Sequence, residues 1–345
     1  MMGKGDGADD IDDMRVANRG GGGLVNKRPS IRLWIFNHRV RGISDQVDFF
    51  VQAMRMNGYQ VTVSNRPAEN SLNIVIESFD YDSFMRVADF CQMRNKRVAI
   101  IATEHMDFVG GDLFFHGRVL DGTYDDYMHP ASKRTRLRYL AVLTEHASAF
   151  LRLGDLPELL GIKRMFPGMA VYSIPFPTLI ARDRGVGTRR HLGPQYDFSF
   201  CGNMTDYRQK ILRDIGRHYR VVVIDSQMSR RVRDGANASS RLVLNIPQRA
   251  DWKWISTMRV WAALRCERAT VSIIDSGSDS ERGLIARASV NISAKDVDGD
   301  YLRAVVSSSE RVYEQMLGYY LNLAGEPMNL PFPVAFFELW AEMEL

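Results

Sequence analysis

Two stretches of this chain carry residue types that could hold an anion. Tyr196-Asp-Phe-Ser-Phe-Cys-Gly-Asn-Met-Thr-Asp-Tyr-Arg208 is an apolar run that meets a glycine and then opens a polar segment. A strand that turns at a glycine into a helix presents backbone N–H groups to a phosphate. Gly202, lacking a Cβ, would let a diphosphate approach, with Asn203, Thr205 and Arg208 in reach. In Arg241-Leu-Val-Leu-Asn-Ile246 the residues Leu242 to Ile246 read as a second strand, closed by Asn245 and Pro247, and Met258-Arg-Val-Trp-Ala-Ala-Leu264 as the helix that follows it. Arg259 falls on that helix's inward side, where a permanently charged, planar guanidinium could neutralise a leaving diphosphate. Asp275, just past the next strand (Ala269 to Ile274), is the nearest carboxylate on the same rim.

The first half of the chain offers proton-transfer groups in equivalent positions. His38 follows the first apolar run in Phe36-Asn-His-Arg-Val-Arg-Gly42, and a neutral imidazole there could take a proton from a hydroxyl. Glu104 and His105 follow another apolar run in Ala102-Thr-Glu-His-Met, and Thr-Glu-His recurs at Thr144 to His146. A carboxylate or imidazole just beyond the carboxyl end of a parallel strand faces the crevice where α/β proteins bind ligands.

These residues need a scaffold of alternating strands and helices. Ile31 to Phe36 reads as a buried strand. Apolar spacing over about Ser44 to Asn57 predicts a helix that Gly58 stops. Val61 to Ser64 and Leu72 to Ile76 read as strands, about Tyr81 to Arg94 as a helix, and Val98 to Ala102 as a strand. A loop over Gly110 to Tyr127, a helix from about Ser132 into the apolar run Tyr139 to Leu143, and a strand Ala170 to Ile174 complete a first Rossmann-like domain. The predicted organisation is a flexible leader over 1–29, a domain over 30–180, a linker over 181–195, a second domain over 196–325 and a helical tail over 326–345. A single helix is predicted from about Tyr301 to Leu323. The fold class is α/β, with two doubly wound domains facing across a cleft.

The segments Phe200-Cys-Gly202…Arg208 and Leu244-Asn245…Arg259-Val-Trp-Ala-Ala263 resemble, in order and over about residues 196 to 295, the donor half of GT-B glycosyltransferases. The resemblance is nearest to the group that includes the CgeB-like spore-maturation proteins. It implies transfer of a sugar from a nucleotide-diphosphate donor to a hydroxyl acceptor. In that reading Gly202, Asn203, Arg208, Asn245, Arg259 and Asp275 bind the donor, and His38, Glu104 or His105 supplies the base. Neither metal nor a resident cofactor is required, since arginines and helix N-termini can stabilise the leaving group. The resemblance also implies a C-terminal helix that returns to the first domain, although an amphipathic helix closing its own domain would leave the same pattern.

Two positions depart from the family pattern. The family's glutamate, which meets the donor ribose, falls on Ala262, and its following glycine falls on Glu267. Losing that acceptor should cost roughly 1.5–3 kcal/mol per hydrogen bond. A relative that binds nucleotide sugars or a partner without catalysis is therefore a second reading.

Composition bounds the rest. Three scattered cysteines, Cys91, Cys201 and Cys266, suit neither a disulfide framework nor a zinc site and point to the cytoplasm. No segment has the apolar length of a signal peptide core or membrane span. The formal charge is +4, yet Arg182 to Arg268 holds 18 Lys and Arg against 8 Asp and Glu. That excess suits a nucleotide or a solvated basic face. With the Arg-rich Ser229-Arg-Arg-Val-Arg-Asp234 it also admits a nucleic-acid ligand, against which stands the lack of a helix-turn-helix or zinc pattern. Asp125-Asp126 fits an acidic loop better than a metal pair, and Asn237-Ala-Ser239 matches a glycosylation acceptor only formally.

Overall fold

The computed structural model describes residues 28–38, 40–115, 117–120, 130–155, 161–179, 193–275, 282–325 and 329–345. Nearly all of the predicted leader, most of the linker and the Asp125-Asp126 pair lie outside the described residues.

The first half runs β1 (Ile31–Trp34), α1 (Val40–Met56), β2 (Val61–Ser64), β3 (Leu72–Ile76), α2 (Tyr81–Arg94) and β4 (Val98–Ile101). A small antiparallel meander follows, β5 (Met106–Val109), β6 (Asp112–Phe115) and β7 (Arg118–Val119). Then come α3 (Pro130–Leu143), β8 (Ala147–Leu153), α4 (Gly161–Met165) and β9 (Val171–Ile174). The six larger strands form one parallel sheet in the order β2-β1-β3-β4-β8-β9. Local chemistry sets the boundaries. Asp80 and Ser83 form a reciprocal capping box at the start of α2, and Asn95 ends that helix in the left-handed region. Gly58, at φ +80°, follows the end of α1.

The second half runs β10 (Tyr196–Cys201), α5 (Asp206–Gly216), β11 (Val221–Ile224), α6 (Arg230–Ala238), β12 (Ser240–Asn245), α7 (Thr257–Arg265), β13 (Ala269–Ile273) and β14 (Val290–Ile292). Its strands form a parallel sheet in the order β11-β10-β12-β13-β14. Each sheet reverses direction of growth at its first strand, beside β3 in one and β12 in the other. Ligands of such sheets bind outside the carboxyl ends of the strands at these reversals.

The structure departs from the predicted elements in some places and adds to them in others. The Gly-rich segment after β4 begins with the meander rather than a loop. Tyr139 to Leu143 completes α3, and a strand that was not predicted, β8, follows, whose Arg152 interrupts its apolar run and bonds Ser173 Oγ on β9 at 2.5 Å. The stretch Arg230 to Asp234 forms α6. The long helix predicted to end near Leu323 is two, α8 (Asp300–Ser307) and α9 (Ser309–Ala324), parted at Ser308. The last helix, α10 (Val334–Glu344), lies against the first domain. Phe337 meets Tyr59 at 5.3 Å between ring centroids, Phe336 stacks on Tyr172, and Glu344 Oε1 accepts from Arg97 N at 3.0 Å.

The two halves share one apolar core. Phe49 of α1 meets Trp261 of α7 at 5.6 Å and Phe176 at 6.2 Å. Beside it lies a seam of buried charge. Arg233 Nη1 reaches Asp45 at 2.7 Å, and Arg265, only 1% exposed, reaches Asp48 at 3.0 Å and Asp234 at 3.4 Å. Arg230 contacts both Asp48 and Asp234. Arg230 and Arg233, counted above as a nucleic-acid signal, thus bind carboxylates of α1.

Burial pushes the Asp234 carboxyl up to about 6, against the pull of Arg230. Its unfolded value is about 4. The stability it contributes is therefore fully present below about pH 4 and lost as pH rises through about 6. The stability of Asp234→Asn relative to wild type is expected to shift in the variant's favour between those limits. Urea denaturation across the range checks it, and a difference independent of pH would contradict it.

Candidate functional site

The carboxyl end of β10 leads through Gly202 to α5, whose first turn is capped by Thr205; the hydroxyl of Thr205 also donates to Gln248 O at 2.8 Å. From that helix Arg208, 3% exposed, donates to Ile246 O at 2.9 Å and Asn203 O at 2.7 Å. From α7, Arg259 donates to Asn245 Oδ1 at 3.1 Å and Ile246 O at 3.2 Å. Asn245 is oriented in turn by a 3.1 Å bond from its Nδ2 to Ser272 Oγ. Both guanidinium carbons lie over the Phe200 ring, at 5.4 and 5.3 Å, a favourable placement for cations whose positions must be held.

This arrangement gives Gly202 a specific reason. A Cβ there would come within 2.6 Å of Arg259 Nη2 and 3.2 Å of Arg208 Nη1. The space predicted for a diphosphate is shared with the two guanidinium groups that would bind it.

Two adjoining cavities lie on this rim. One, of about 260 Å³, is lined by Thr103, Glu104 and His105 from the first half and by Arg208, Asn245 and Arg259 from the second. The other, of about 310 Å³, is lined by Gly202, Asn203, Arg208, Arg259 and Ala262, with Asp45 and Gln46 of α1 opposite. Gln46, Arg208, Gln248 and Arg259 border both. Ala262, where the resemblance puts a ribose-binding glutamate, lines the second cavity. Glu267 keeps the left-handed backbone, φ +58°, that a glycine would adopt without strain.

On the first-half wall, His105 stacks on Trp254 at 4.5 Å with 8° between planes and meets Trp252 edge-on at 6.1 Å. The loop bearing both tryptophans is clasped from the meander by Arg118, which bonds Asp251 at 2.6 Å. Glu104 accepts from Arg136 Nη1 at 2.6 Å and faces Lys133 Nζ at 3.7 Å. Beneath it, Glu77 accepts from Arg136 Nη2 at 2.9 Å. Burial pushes the Glu77 carboxyl up and the Lys133 ammonium down. None of Arg136, Lys133, Glu77, Trp252 or Trp254 was predicted for the site. The available signal was Glu77, an acidic residue closing the wholly buried run Leu72 to Ile76.

Two predicted residues are not brought to this place. Neither His38 nor Asp275 is among the described residues lining either cavity. His38 Nε2 lies 2.9 Å from Glu77 O, where burial lowers its pKa, because Asn37 Nδ2 ties the short loop to Ile76 O and Ser78 O. Asp275 accepts from Tyr207 Oη at 2.8 Å, Ser293 Oγ at 2.7 Å and Ala294 N at 2.8 Å, so its carboxylate organises the loop after β14. Among the described residues no group of three or more His, Cys, Asp or Glu is arranged to hold a metal, and no helix is long and apolar enough to cross a membrane.

No family model and no curated protein matches the sequence. Among solved structures, sucrose-phosphate synthase from Thermosynechococcus elongatus superposes with a TM-score of 0.52 at 9% identity, over 92% of this chain and 98% of that one. The chain has the GT-B fold. Lower similarity to GT-B structures extends to an alpha1,3-fucosyltransferase with GDP, TM-score 0.42 at 12% identity over 94% of both chains. An alpha,alpha-trehalose-phosphate synthase from Burkholderia xenovorans in complex with glucose-6-phosphate gives TM-score 0.42 at 10% identity, over 88% of this chain and 76% of that one.

In this GT-B chain the Cβ of Gly202→Ala would press on Arg259 Nη2 and move the guanidinium that Asn245 orients. Affinity for a nucleoside diphosphate is expected to fall about tenfold or more, the worth of one charged hydrogen bond, while melting changes little. Calorimetric titration checks this; unchanged affinity would contradict the assignment.

Proposed function

We propose that this protein transfers a sugar from a nucleotide-diphosphate donor to a hydroxyl acceptor. The observation that carries the reading is the convergence of Arg208 and Arg259 on the β10–β12 reversal, directly across a cavity from Glu104 and His105. The donor diphosphate lies along Gly202 and Asn203, and Arg259 with Arg208 neutralises the charge that develops as the sugar departs. No metal is needed for that stabilisation. His105, held by its stack on Trp254, accepts the acceptor hydroxyl's proton. Glu104, bound to Arg136, orients the acceptor rather than deprotonating it. His38 and Asp275 have no part in this version of the site.

The order of segments supports membership in the CgeB-like group, and the three free cysteines suit a reducing cytoplasm. Ala262 favours one alternative, a silent relative that binds nucleotide sugars without transferring them. The nucleic-acid reading loses ground because Arg230 and Arg233 are engaged by Asp48 and Asp45.

A thermal-shift screen against UDP, GDP, ADP, CMP and their sugar conjugates tests the donor site. One nucleotide at a hundred times its dissociation constant is expected to stabilise the protein by roughly 2.7 kcal/mol, and Arg259→Ala to abolish the shift. No response to any of them, or a response that survives in Arg259→Ala, would refute the assignment.

A further inference from the structure

Glu77 lies at the reversal of the first sheet, immediately after β3, and is 1% exposed. One carboxylate oxygen, Oε2, accepts from Thr103 N at 3.2 Å, Thr103 Oγ1 at 3.2 Å and Glu104 N at 3.1 Å, while Oε1 accepts from Arg136. The donors to Oε2 belong to the segment that carries Glu104 and His105 into the cavity. Arg136 spans Glu77 and Glu104, so one guanidinium links the buried carboxylate to the one that lines the cavity. The backbone around Glu77 is itself held under strain. Ser78 has φ +148°, a conformation that favours glycine, and Asn37 Nδ2 bonds the carbonyls on either side, Ile76 O at 3.0 Å and Ser78 O at 2.8 Å. A buried carboxylate costs free energy unless its acceptors are filled, and here four donors fill them. A purely apolar core would be served as well by a Leu at this position; these bonds instead fix a cavity-lining loop.

We propose that Glu77 is the positioning residue of the acceptor wall: its carboxylate fixes Thr103–His105 and so sets the His105 imidazole against the cavity. The inference rests on the sugar-transfer reading for its kinetic consequence, though the placement of His105 does not depend on turnover. A loop displaced by about 1 Å can cost on the order of a hundredfold in rate. The donor groups stand on the other domain and are untouched.

The test is Glu77→Gln, which keeps shape but turns one acceptor oxygen into an NH2 facing other donors. Expected are a fall in kcat on the order of tenfold to a hundredfold, a donor-nucleotide dissociation constant unchanged within about twofold, and a shifted side-chain resonance of 15N-labelled His105, with that of His218 unmoved. The His105 signal is assigned with His105→Gln. Unchanged kcat, or donor affinity falling in step with kcat, would overturn the proposal. Should wild-type protein turn over no donor, the sugar-transfer reading fails, and the resonance still decides: unmoved, it overturns the positioning role, and moved while that of His218 stays, it upholds it. If Glu77→Gln does not fold, Thr103→Val removes one donor and is read by the same resonance, expected to move in the same direction by less.

Discussion

Burial of Arg265 between Asp48 and Asp234 is the constraint on which the rest of the structure depends. A guanidinium at 1% exposure must have its charge met, and it is met by one carboxylate from each half of the chain. Such pairs gain little net stability over apolar packing, because both partners are desolvated. Their effect is on register: α1 and α7 can slide or rotate only by leaving a charge uncompensated. Phe49 on Trp261 supplies apolar area beside the same contact. Since α7 also carries Arg259, and α1 carries Gln46 and Asp45 on the opposite wall, the seam sets the width of the cleft.

A second attachment closes the cleft near its aromatic end. The meander between β4 and α3 holds the tryptophan loop through Arg118 and Asp251, and His105 stacks on Trp254 from the same side. Between these attachments the reversal points of the two sheets face one another. One contributes cations drawn together over Phe200 and around a glycine whose missing Cβ leaves room for them. The other contributes a carboxylate and an imidazole backed by a buried Glu77, Arg136 and Lys133. The proposed sugar transfer rests on that opposition of charge character rather than on the fold, which many chemistries share.

How much of this was readable in advance varied with the range of the interactions. The alternation of strands and helices, the two domains and the strand–Gly–helix turn at Gly202 are local patterns, and Arg208, Asn245 and Arg259 follow from them by order alone. The Arg-rich stretch at Arg230 to Asp234 looked like a solvent-facing or nucleic-acid surface because its partners, Asp45 and Asp48, lie far back in the sequence. His38 and Asp275 were assigned by their distance past a strand, a rule blind to which backbone groups already hold the side chain. The wall made by Glu77, Arg136, His105 and Trp254 joins four separated segments, and periodicity does not report such meetings. Ala262 and Glu267 were recognised as departures, yet only the structure shows that one faces a cavity and the other retains a glycine-like backbone.

The most direct measurement is a crystal structure with a bound nucleoside diphosphate. The diphosphate oxygens are expected within hydrogen-bond distance of the Arg259 guanidinium and the backbone at Gly202, with the nucleoside directed toward Ala262 and the terminal phosphate toward His105. A nucleotide bound outside both cavities, or held without either arginine, would contradict that placement.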